Sequence, residues 1–220
     1  MMAFLLADLR DWRRRRMLKT IGLSAILLAA VGLFGTLQPL LLALACAAAF
    51  IAAGWAEGKI PKSKPDELLD PVSFPARPFE LVAGKLLSAL ILWLGLLLAL
   101  SPILAASAIA WGLSGKTIAS CLFCWLAAYL AAAAVSFSFD VIFSGSEGFI
   151  GLCLYAPWIF ASFFVPFLKP SNPFIQAWGI LKLEGGGAIY LGIGAQVLVA
   201  AFLFGASALA LGSRRRKRLA

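Results

Sequence analysis

Histidine is absent from the 220-residue chain, and charged residues make up only 13% of it. Without histidine the chain has no Ser-His-Asp triad, no H-E-x-x-H zinc site and few ways to build a proton relay. Acidic residues are also scarce, with 10 Asp and Glu against 19 Lys and Arg. We therefore expect no catalytic, cofactor-binding or metal-binding residues, and we interpret the chain as a non-enzyme.

Hydrophobic residues, in contrast, are abundant. They reach 62% of the chain, whereas a soluble domain usually has about 45–50% apolar and about 25% charged residues. This composition is typical of an all-α integral membrane protein. Because one span needs about 20 apolar residues, the length allows six crossings with modest loops and no large soluble domain. Chemistry that needs a folded aqueous domain must come from a partner.

Uninterrupted apolar stretches predict where the six transmembrane helices lie. The first two are separated only by a tight turn between Gly35 and Pro39. The third is long for one crossing, and Pro102 within it predicts a kink or an interruption whose freed backbone groups would be satisfied by neighbouring helices. The six stretches lie near residues 18–36, 39–56, 86–113, 117–139, 149–168 and 187–212.

The cysteines do not indicate a disulfide framework or a metal site. Cys46, Cys121, Cys124 and Cys153 all fall within apolar stretches, where free cysteine behaves as a small hydrophobic residue. Two of them form a C-x-x-C pair, but the context of a zinc ribbon or a secreted domain is missing. We interpret all four as packing residues.

Basic residues are placed unevenly along the chain. Short loops rich in Lys and Arg stay in the cytoplasm, and sixteen of the nineteen basic residues fall on one side of a six-span arrangement. Both termini are therefore predicted to be cytoplasmic. The net charge of +9 flanks apolar spans, so we expect anionic lipid headgroups, and no nucleic acid, as its partners. The sixteen residues are Arg10, Arg13, Arg14, Arg15, Arg16, Lys19, Lys59, Lys62, Lys64, Arg77, Lys85, Arg214, Arg215, Arg216, Lys217 and Arg218.

The N-terminal segment 1–17 differs from a span, because Phe4, Leu5, Leu9 and Trp12 alternate with charged residues. This pattern predicts an amphipathic helix lying in the membrane interface. The alternative is a simple extension of the first span. We do not expect a cleaved signal peptide, because such a signal ends in a small-residue cleavage site after a short apolar core, whereas the apolar run here continues into another.

A polar segment, "KPDELLDPVSFPARPFELVAGK" at residues 64–85, separates the second and third spans. Its prolines fragment the entry, "DELLD" predicts a short amphipathic helix, and "FELVAGKLL" restarts a helical pattern that runs into the third span. The whole connection, residues 57–85, is about thirty residues long, whereas most connections are short. Its length and mixed charge favour docking to another protein; the alternative is a solvated linker without a partner.

The chain as a whole resembles the permease subunits of ABC type-2 exporters. The resemblance rests on the interfacial N-terminal helix, six spans with both ends inside, and "DELLDPVSFPARPFELVAGKLLSALI" entering the third span. A later "SNPF" followed by "IQAWGIL" is also similar to the family. The stretch "GKIPKSKP" stands where the family often has E-x-x-x-G-T, so the resemblance indicates the class and not the subfamily. The matching positions are Glu67, Leu68, Leu69, Pro71, Arg77, Glu80, Leu81, Gly84, Lys85 and Leu86.

This resemblance implies an ATP-driven exporter of the bacterial inner membrane. A separate ATP-binding subunit would hold ATP and Mg, a coupling helix near residues 65–71 would dock in a cleft of that subunit, and segment 169–186 would form short re-entrant helices that gate the outer mouth. The alternatives are a secondary transporter or channel subunit and a non-transporting membrane scaffold. The implied docking residues are Pro65, Asp66, Glu67, Leu68, Leu69, Asp70, Pro71 and Arg77, with a second contact at Asp140 and Glu147; the implied outer gate is Asn172, Pro173, Phe174 and Trp178.

Asp140 and the aromatic residues near the gate each have an alternative interpretation, and the size of the chain implies a dimer. Asp140 also fits a residue that marks the water boundary of the fourth span, and the aromatic residues near the gate also fit an interfacial belt. A chain of this size cannot enclose a pathway, so the resemblance implies a dimer with itself or with a related permease. Small residues would permit the close helix contact that a dimer needs; they are Gly192, Gly194, Ala195, Ala201 and the run 127–134.

The stretch "GLSGKT", which ends at Thr117, is not a phosphate-binding loop. A Walker A motif requires glycine where Ala110 stands, and no strand precedes it. We therefore expect no ATP binding by this chain. The six apolar stretches are also essentially free of ionisable residues away from their ends, which favours an externally driven pump over a secondary transporter.

Overall fold

The computed structural model describes residues 77–110, 112–142, 157–158, 160–181 and 187–219. These residues contain no β-strand, which confirms the predicted all-α class for this part of the chain. Residues 157–158 and 160–164 are helical. The remaining elements are α1 (Pro78–Ala110), α2 (Gly115–Ile142), a 3₁₀ helix (Pro166–Ser171), α3 (Pro173–Leu181) and α4 (Gly187–Leu219).

Within the described residues, three helices are long and apolar enough to cross a membrane, in the stretches Pro78–Gly95, Gly115–Phe139 and Gly187–Ser213. They correspond to the third, fourth and sixth predicted spans. The fifth predicted span, 149–168, ends differently: the helix stops at Phe164 and a 3₁₀ helix follows from Pro166. Several predictions lie outside the described residues: the interfacial helix 1–17, the spans 18–36 and 39–56, the coupling helix near 65–71, and Glu147.

Helix α1 starts as its sequence predicts. Pro78 occupies the first helical position, where its missing N–H costs nothing, and Glu80 lies in the first turn, where a negative charge complements the helix dipole. The Arg77 carbonyl oxygen accepts the N–H groups of Glu80 and Leu81 at 2.9 and 3.2 Å. The helix is then continuous into the apolar stretch. The predicted continuity of "FELVAGKLL" with the third span is thus confirmed.

Pro102 does not interrupt α1, which remains helical on both sides of it. Proline has no N–H, so the carbonyl four residues earlier, that of Leu98, receives no main-chain hydrogen bond from it. The Ser101 hydroxyl donates to the Leu98 carbonyl oxygen at 2.8 Å. We expected neighbouring helices to satisfy this group, but the residue next to the proline does so instead.

A short turn joins α1 to α2, and it is built from the "GLSGKT" stretch. Gly112 has a φ of +59°, and the N–H groups of Gly112 and Leu113 bond back to the carbonyls of Ile109 and Ala108. This is a Schellman ending, in which glycine takes the left-handed conformation. Ser114 then caps α2 by accepting the Thr117 N–H at 3.1 Å. The stretch therefore ends one helix and starts the next, in a form unlike a phosphate-binding loop.

Helices α2 and α4 run parallel, and α1 runs antiparallel to both. Early residues of both helices share one cluster, in which Cys121 and Cys124 pack near Ile193. Late residues share a second cluster, in which Val141 packs with Leu211 and with Val82 from the start of α1. We call the end at which α1 begins and α4 finishes the basic end, and the end with the Gly112 turn and segment 166–181 the short-helix end.

Basic residues are concentrated at the basic end. Pro78 lies 3.7 Å from where a Cβ on Gly212 would be, which places Arg77 close to the last turns of α4. Those turns carry Arg214, Arg215, Arg216, Lys217 and Arg218. Only Lys116 and Lys169 among the described basic residues belong to the short-helix end, and both are exposed. The described basic residues are thus unevenly divided between the two ends, and the cytoplasmic placement of the basic end stays a prediction.

Small residues allow α2 to pack closely within the chain itself. Six alanines in the run 127–134 are 0–2% exposed, and Ser136 and Ser138 nearby are also buried. The Ser207 hydroxyl donates to the Leu203 carbonyl of its own helix at 2.8 Å, and the Ser138 hydroxyl lies 2.9 Å from Ser207 Oγ across the interface. The alanine run expected at a dimer contact is therefore already covered, while Gly194, Ala195 and Ala201 remain exposed.

Candidate functional site

Segment 166–181 is organised by Asn172, which lies between the 3₁₀ helix and α3. Its Oδ1 accepts the N–H groups of Phe174 and Ile175 at 2.9 and 3.3 Å. Asparagine in this position is a strong helix N-cap, and Pro173 follows it at the first helical position. The Asn172 Nδ2 donates to Ser162 Oγ at 2.7 Å, which ties the preceding helical residues to the same point. Asn172 is fully buried.

The same local sequence leaves two main-chain carbonyls in need of donors. Pro173 has no N–H to offer the Pro170 carbonyl. The N–H groups of Phe174 and Ile175, which the Ser171 carbonyl would otherwise receive, already bond to the Asn172 side chain. Buried carbonyls cost free energy when they have no partner. Because of the way α3 is capped, the Pro170 and Ser171 carbonyls therefore need hydrogen-bond donors from side chains.

Gln176 provides the donor for the Pro170 carbonyl. Its Nε2 donates to the Pro170 carbonyl oxygen at 2.6 Å, and its Oε1 accepts the Cys124 thiol from α2 at 3.2 Å. Both groups of this amide are satisfied, and the residue is fully buried. Cys124 is therefore a packing residue, as predicted, that also contacts segment 166–181 through its sulfur.

Gln196 of α4 provides the donor for the Ser171 carbonyl, because its Nε2 donates to that oxygen at 2.6 Å. Its Oε1 has no hydrogen-bond partner among the described residues, although the side chain is only 3% exposed. The reverse amide orientation would place two acceptor oxygens against each other, so the contact with Ser171 fixes the orientation. Gln196 is thus satisfied on its donor side only.

Gly192, one turn before Gln196, lets the chain approach α4 closely. A Cβ at this position would collide with the Pro170 carbonyl oxygen, and it would lie 2.5 Å from the Pro170 carbonyl carbon and 2.8 Å from Gln176 Nε2. The main chain cannot yield as a flexible side chain would. Gly194, two residues further along, has nothing within 4 Å of the same position. We call Gln176, Gly192 and Gln196 together the fastening residues.

Aromatic side chains surround these contacts. Phe174 meets Trp125 of α2 edge-on, with ring centroids 6.0 Å apart, and Phe163 at 6.2 Å. On the outside, Phe160, Phe164 and Phe167 are each more than 70% exposed. Exposed aromatic rings at one end of an apolar bundle are typical of a membrane interface. The arrangement has an inner aromatic contact that joins helices and an outer aromatic surface.

The four predicted gate residues are close in the structure but differ in exposure. Asn172 and Pro173 are fully buried, Phe174 is partly buried, and Trp178 is 37% exposed. Asn172 and Pro173 start α3, so their side chains do not line an opening in this structure. Two short helices do occur in the region predicted to be re-entrant, and the first begins at Pro166, three residues before the predicted boundary. The gating role stays a prediction.

Of the predicted docking residues, the structure describes only two. Arg77 lies at the basic end with an exposed side chain, immediately before α1. Asp140 lies in the last turn of α2, at the same end, because α2 finishes at Ile142. This position is compatible with the second docking contact and with the water boundary. The other docking residues lie in the part of the chain that the structure does not describe.

Sequence reasoning missed Gln176 and Gln196, and it assigned Gly192 to a dimer contact, whereas the structure places the Pro170 carbonyl of the same chain against it. Gln196 carried a signal, since it is a large polar residue inside the apolar stretch 187–212, and such residues are unusual in spans. Gln176 carried less, because an amide in a short interfacial helix is ordinary.

Comparison of the chain with protein-family models, with curated proteins and with solved structures found no match.

Proposed function

We propose that the chain is the transmembrane subunit of an ATP-driven ABC type-2 exporter of the bacterial inner membrane. In this proposal it works as a dimer, with itself or a related permease, and docks on a separate subunit that binds ATP and Mg. The basic end faces the cytoplasm and the short-helix end faces outward. The observation that carries the proposal is the direct passage of the polar, proline-rich segment ending at Arg77 into the membrane helix α1.

The packing at the basic end supports a mechanical connection. The first turns of α1 are buried, including Leu81, Val82 and Ala89. Val82 packs in one cluster with residues from the ends of α2 and α4. A displacement applied before Pro78 would therefore act on α1 at the point where it packs against both α2 and α4.

The distribution of charge favours an externally driven pump over a secondary transporter. Coupling ions or substrates in secondary transporters use ionisable groups near the middle of the membrane. Among the helix side chains that the structure describes, Lys85 is the only buried charged one, and it lies seven residues after Pro78, near the basic end. The other buried polar side chains of the described residues are uncharged hydroxyls and amides.

The test is to purify the tagged full-length chain from its native membrane, identify any co-purifying ATPase, and measure its ATP hydrolysis with and without the chain in lipid. We expect association, with hydrolysis stimulated by the chain. The Glu67→Lys and Arg77→Glu variants should weaken association about tenfold, equivalent to roughly 1.4 kcal/mol. Substitution of the Arg77 side chain leaves its carbonyl in place to start α1.

The matched control is Lys169→Glu, which makes the same charge reversal at an exposed residue of the short-helix end. It should leave association with the ATPase unchanged. Equal weakening by Arg77→Glu and Lys169→Glu would contradict docking at the basic end. Transport by the purified chain without any nucleotide-hydrolysing companion would indicate a secondary transporter or channel, and the absence of any transport would favour a scaffold.

A further inference from the structure

We propose that the fastening residues Gln176, Gly192 and Gln196 are positioning residues that hold segment 166–181 on α2 and α4, so that the segment and these two helices move as one body. The inference rests on the proposed function where it concerns movement during transport. A gate that opened by lifting the two short helices away from α4 would be a different mechanism. The contacts at the short-helix end distinguish the two.

The first argument is that the contacts join main chain to side chain across three elements. Pro170 and Ser171 belong to the 3₁₀ helix, Gln176 to α3 and Gln196 to α4. Lifting the segment would leave the Ser171 carbonyl and the Gln196 amide without each other in a poorly solvated region. Such groups are expensive to separate where water cannot replace the lost partner.

The second argument is the close approach at Gly192. The Pro170 carbonyl lies where a Cβ of any other residue would be. Because the main chains of the 3₁₀ helix and α4 touch at this point, the two elements cannot slide past each other. The close contact also enlarges the surface over which they pack. Gln176 Nε2 reaches the same point, so the hydrogen bond and the close approach reinforce each other.

The third argument is that α2 and α4 are themselves joined along their length. The Ser138 and Ser207 hydroxyls meet near the basic end, and Phe137 packs against Phe204 with ring centroids 5.9 Å apart. At the other end, Cys124 of α2 contacts segment 166–181 through Gln176. The segment is thus attached to both members of one helix pair.

Helix α1 is attached differently. Its first turns are buried, but Leu94, Leu98 and Ile109 are more than 50% exposed. Among the described helices, α1 is therefore held mainly at the basic end. Relative movement is expected between α1 and the α2–α4 pair, and not between segment 166–181 and that pair.

The experiment measures distances between spin labels in the full-length chain, reconstituted in lipid nanodiscs. The native cysteines are replaced by alanine, except that Cys124→Ser keeps a donor for Gln176. One label pair replaces Phe167 and Leu209, which are 80% and 77% exposed. Leu209 lies 17 residues beyond Gly192, or about 25 Å along the helix, which suits the method. A second pair, at Leu98 and Leu209, reports on α1.

Without nucleotide, the Phe167–Leu209 pair should give one narrow distance distribution. Gly192→Ala should broaden or shift it by several ångströms, and Gly194→Ala, the matched control two residues away, should not. Gln176→Leu provides a second, milder disruption if Gly192→Ala does not fold. Identical distributions in Gly192→Ala, Gln176→Leu and the unsubstituted protein would overturn the fastening role.

With the partner ATPase and ATP, the Leu98–Leu209 distance should change while the Phe167–Leu209 distance stays the same. A nucleotide-dependent change of several ångströms in the Phe167–Leu209 distance would overturn movement as one body. If no ATPase associates and neither distance responds to ATP, the proposed function fails, and the nucleotide-free comparison of the glycine variants still decides the fastening role.

Discussion

The two ends of the described bundle are held together by different interactions. At the basic end, regular helices pack through small and apolar side chains, with one serine pair between α2 and α4. At the short-helix end, Gln176 and Gln196 donate hydrogen bonds to irregular main chain, and Asn172 donates one to the Ser162 side chain. Regular helices satisfy their own main-chain groups, whereas turns in a poorly solvated region need side-chain partners. The difference predicts which substitutions each end tolerates.

The largest expected effect is that of Gly192→Ala. The added Cβ would collide with main chain, so we expect a loss of about 3 kcal/mol in unfolding free energy, at the upper end of typical overpacking. Thermal unfolding in detergent measures it. Gly194→Ala adds the same methyl group where nothing lies within 4 Å, and a loss of comparable size in that variant would remove the argument from close approach.

Asn172→Ala should have the next largest effect. It removes the N-cap of α3 and the hydrogen bond to Ser162, for an expected loss of about 1–2 kcal/mol. Asn172→Ser retains a hydroxyl that can cap the helix and should recover part of the loss. The same thermal assay applies, and equal stability of both variants would show that capping does not matter here.

The two glutamines sharpen the comparison because only one of them is fully satisfied. Gln176→Leu removes two hydrogen bonds and should cost about 1.5 kcal/mol. Gln196→Leu removes one hydrogen bond together with a buried oxygen that has no partner among the described residues, so it should cost only about 0.5 kcal/mol. Equilibrium unfolding of the two variants in parallel gives the ranking, and the reverse order would contradict the described geometry.

The smallest expected effects lie at the basic end. Ser138→Ala and Ser207→Ala should each cost roughly 0.6 kcal/mol, the average for hydrogen bonds between membrane helices. Ser138 Oγ also lies 3.1 Å from the Leu203 carbonyl, so it can use that acceptor when Ser207 is removed. A double-mutant cycle should therefore show a coupling energy of a few tenths of a kcal/mol; full additivity would mean that the pair does not interact.

Much of the regular part of the fold could be predicted from the sequence. The apolar stretches 117–139 and 187–212 correspond to α2 and α4, and the caps at Pro78 and Gly112 follow from the local preferences of proline and glycine. These features depend on residues that are neighbours in the chain. Length, hydrophobicity and turn chemistry therefore contain enough information to locate them.

The contacts between elements could not be predicted in the same way. Nothing in the alanine run 127–134 shows whether its partner is α4 or a second chain, because both would need the same small residues. The role of Gln196 depends on a main-chain carbonyl 25 residues away, and that carbonyl needs a donor only because of how Asn172 and Pro173 begin α3. A carbonyl that lacks a main-chain donor because of local geometry cannot be recognised from composition or periodicity.

The Ser101 and Pro102 pair has a consequence for how a long apolar helix can vary. A proline alone would strip a carbonyl of its partner in a medium that offers no substitute, but a serine immediately before it brings a replacement donor along in the same dipeptide. Ser101 thus supplies the hydrogen bond that Pro102 removes. The pair can therefore occur in a membrane helix at a position that no other helix contacts. Such a pair lets α1 satisfy its main-chain groups around Pro102 without a donor from another helix.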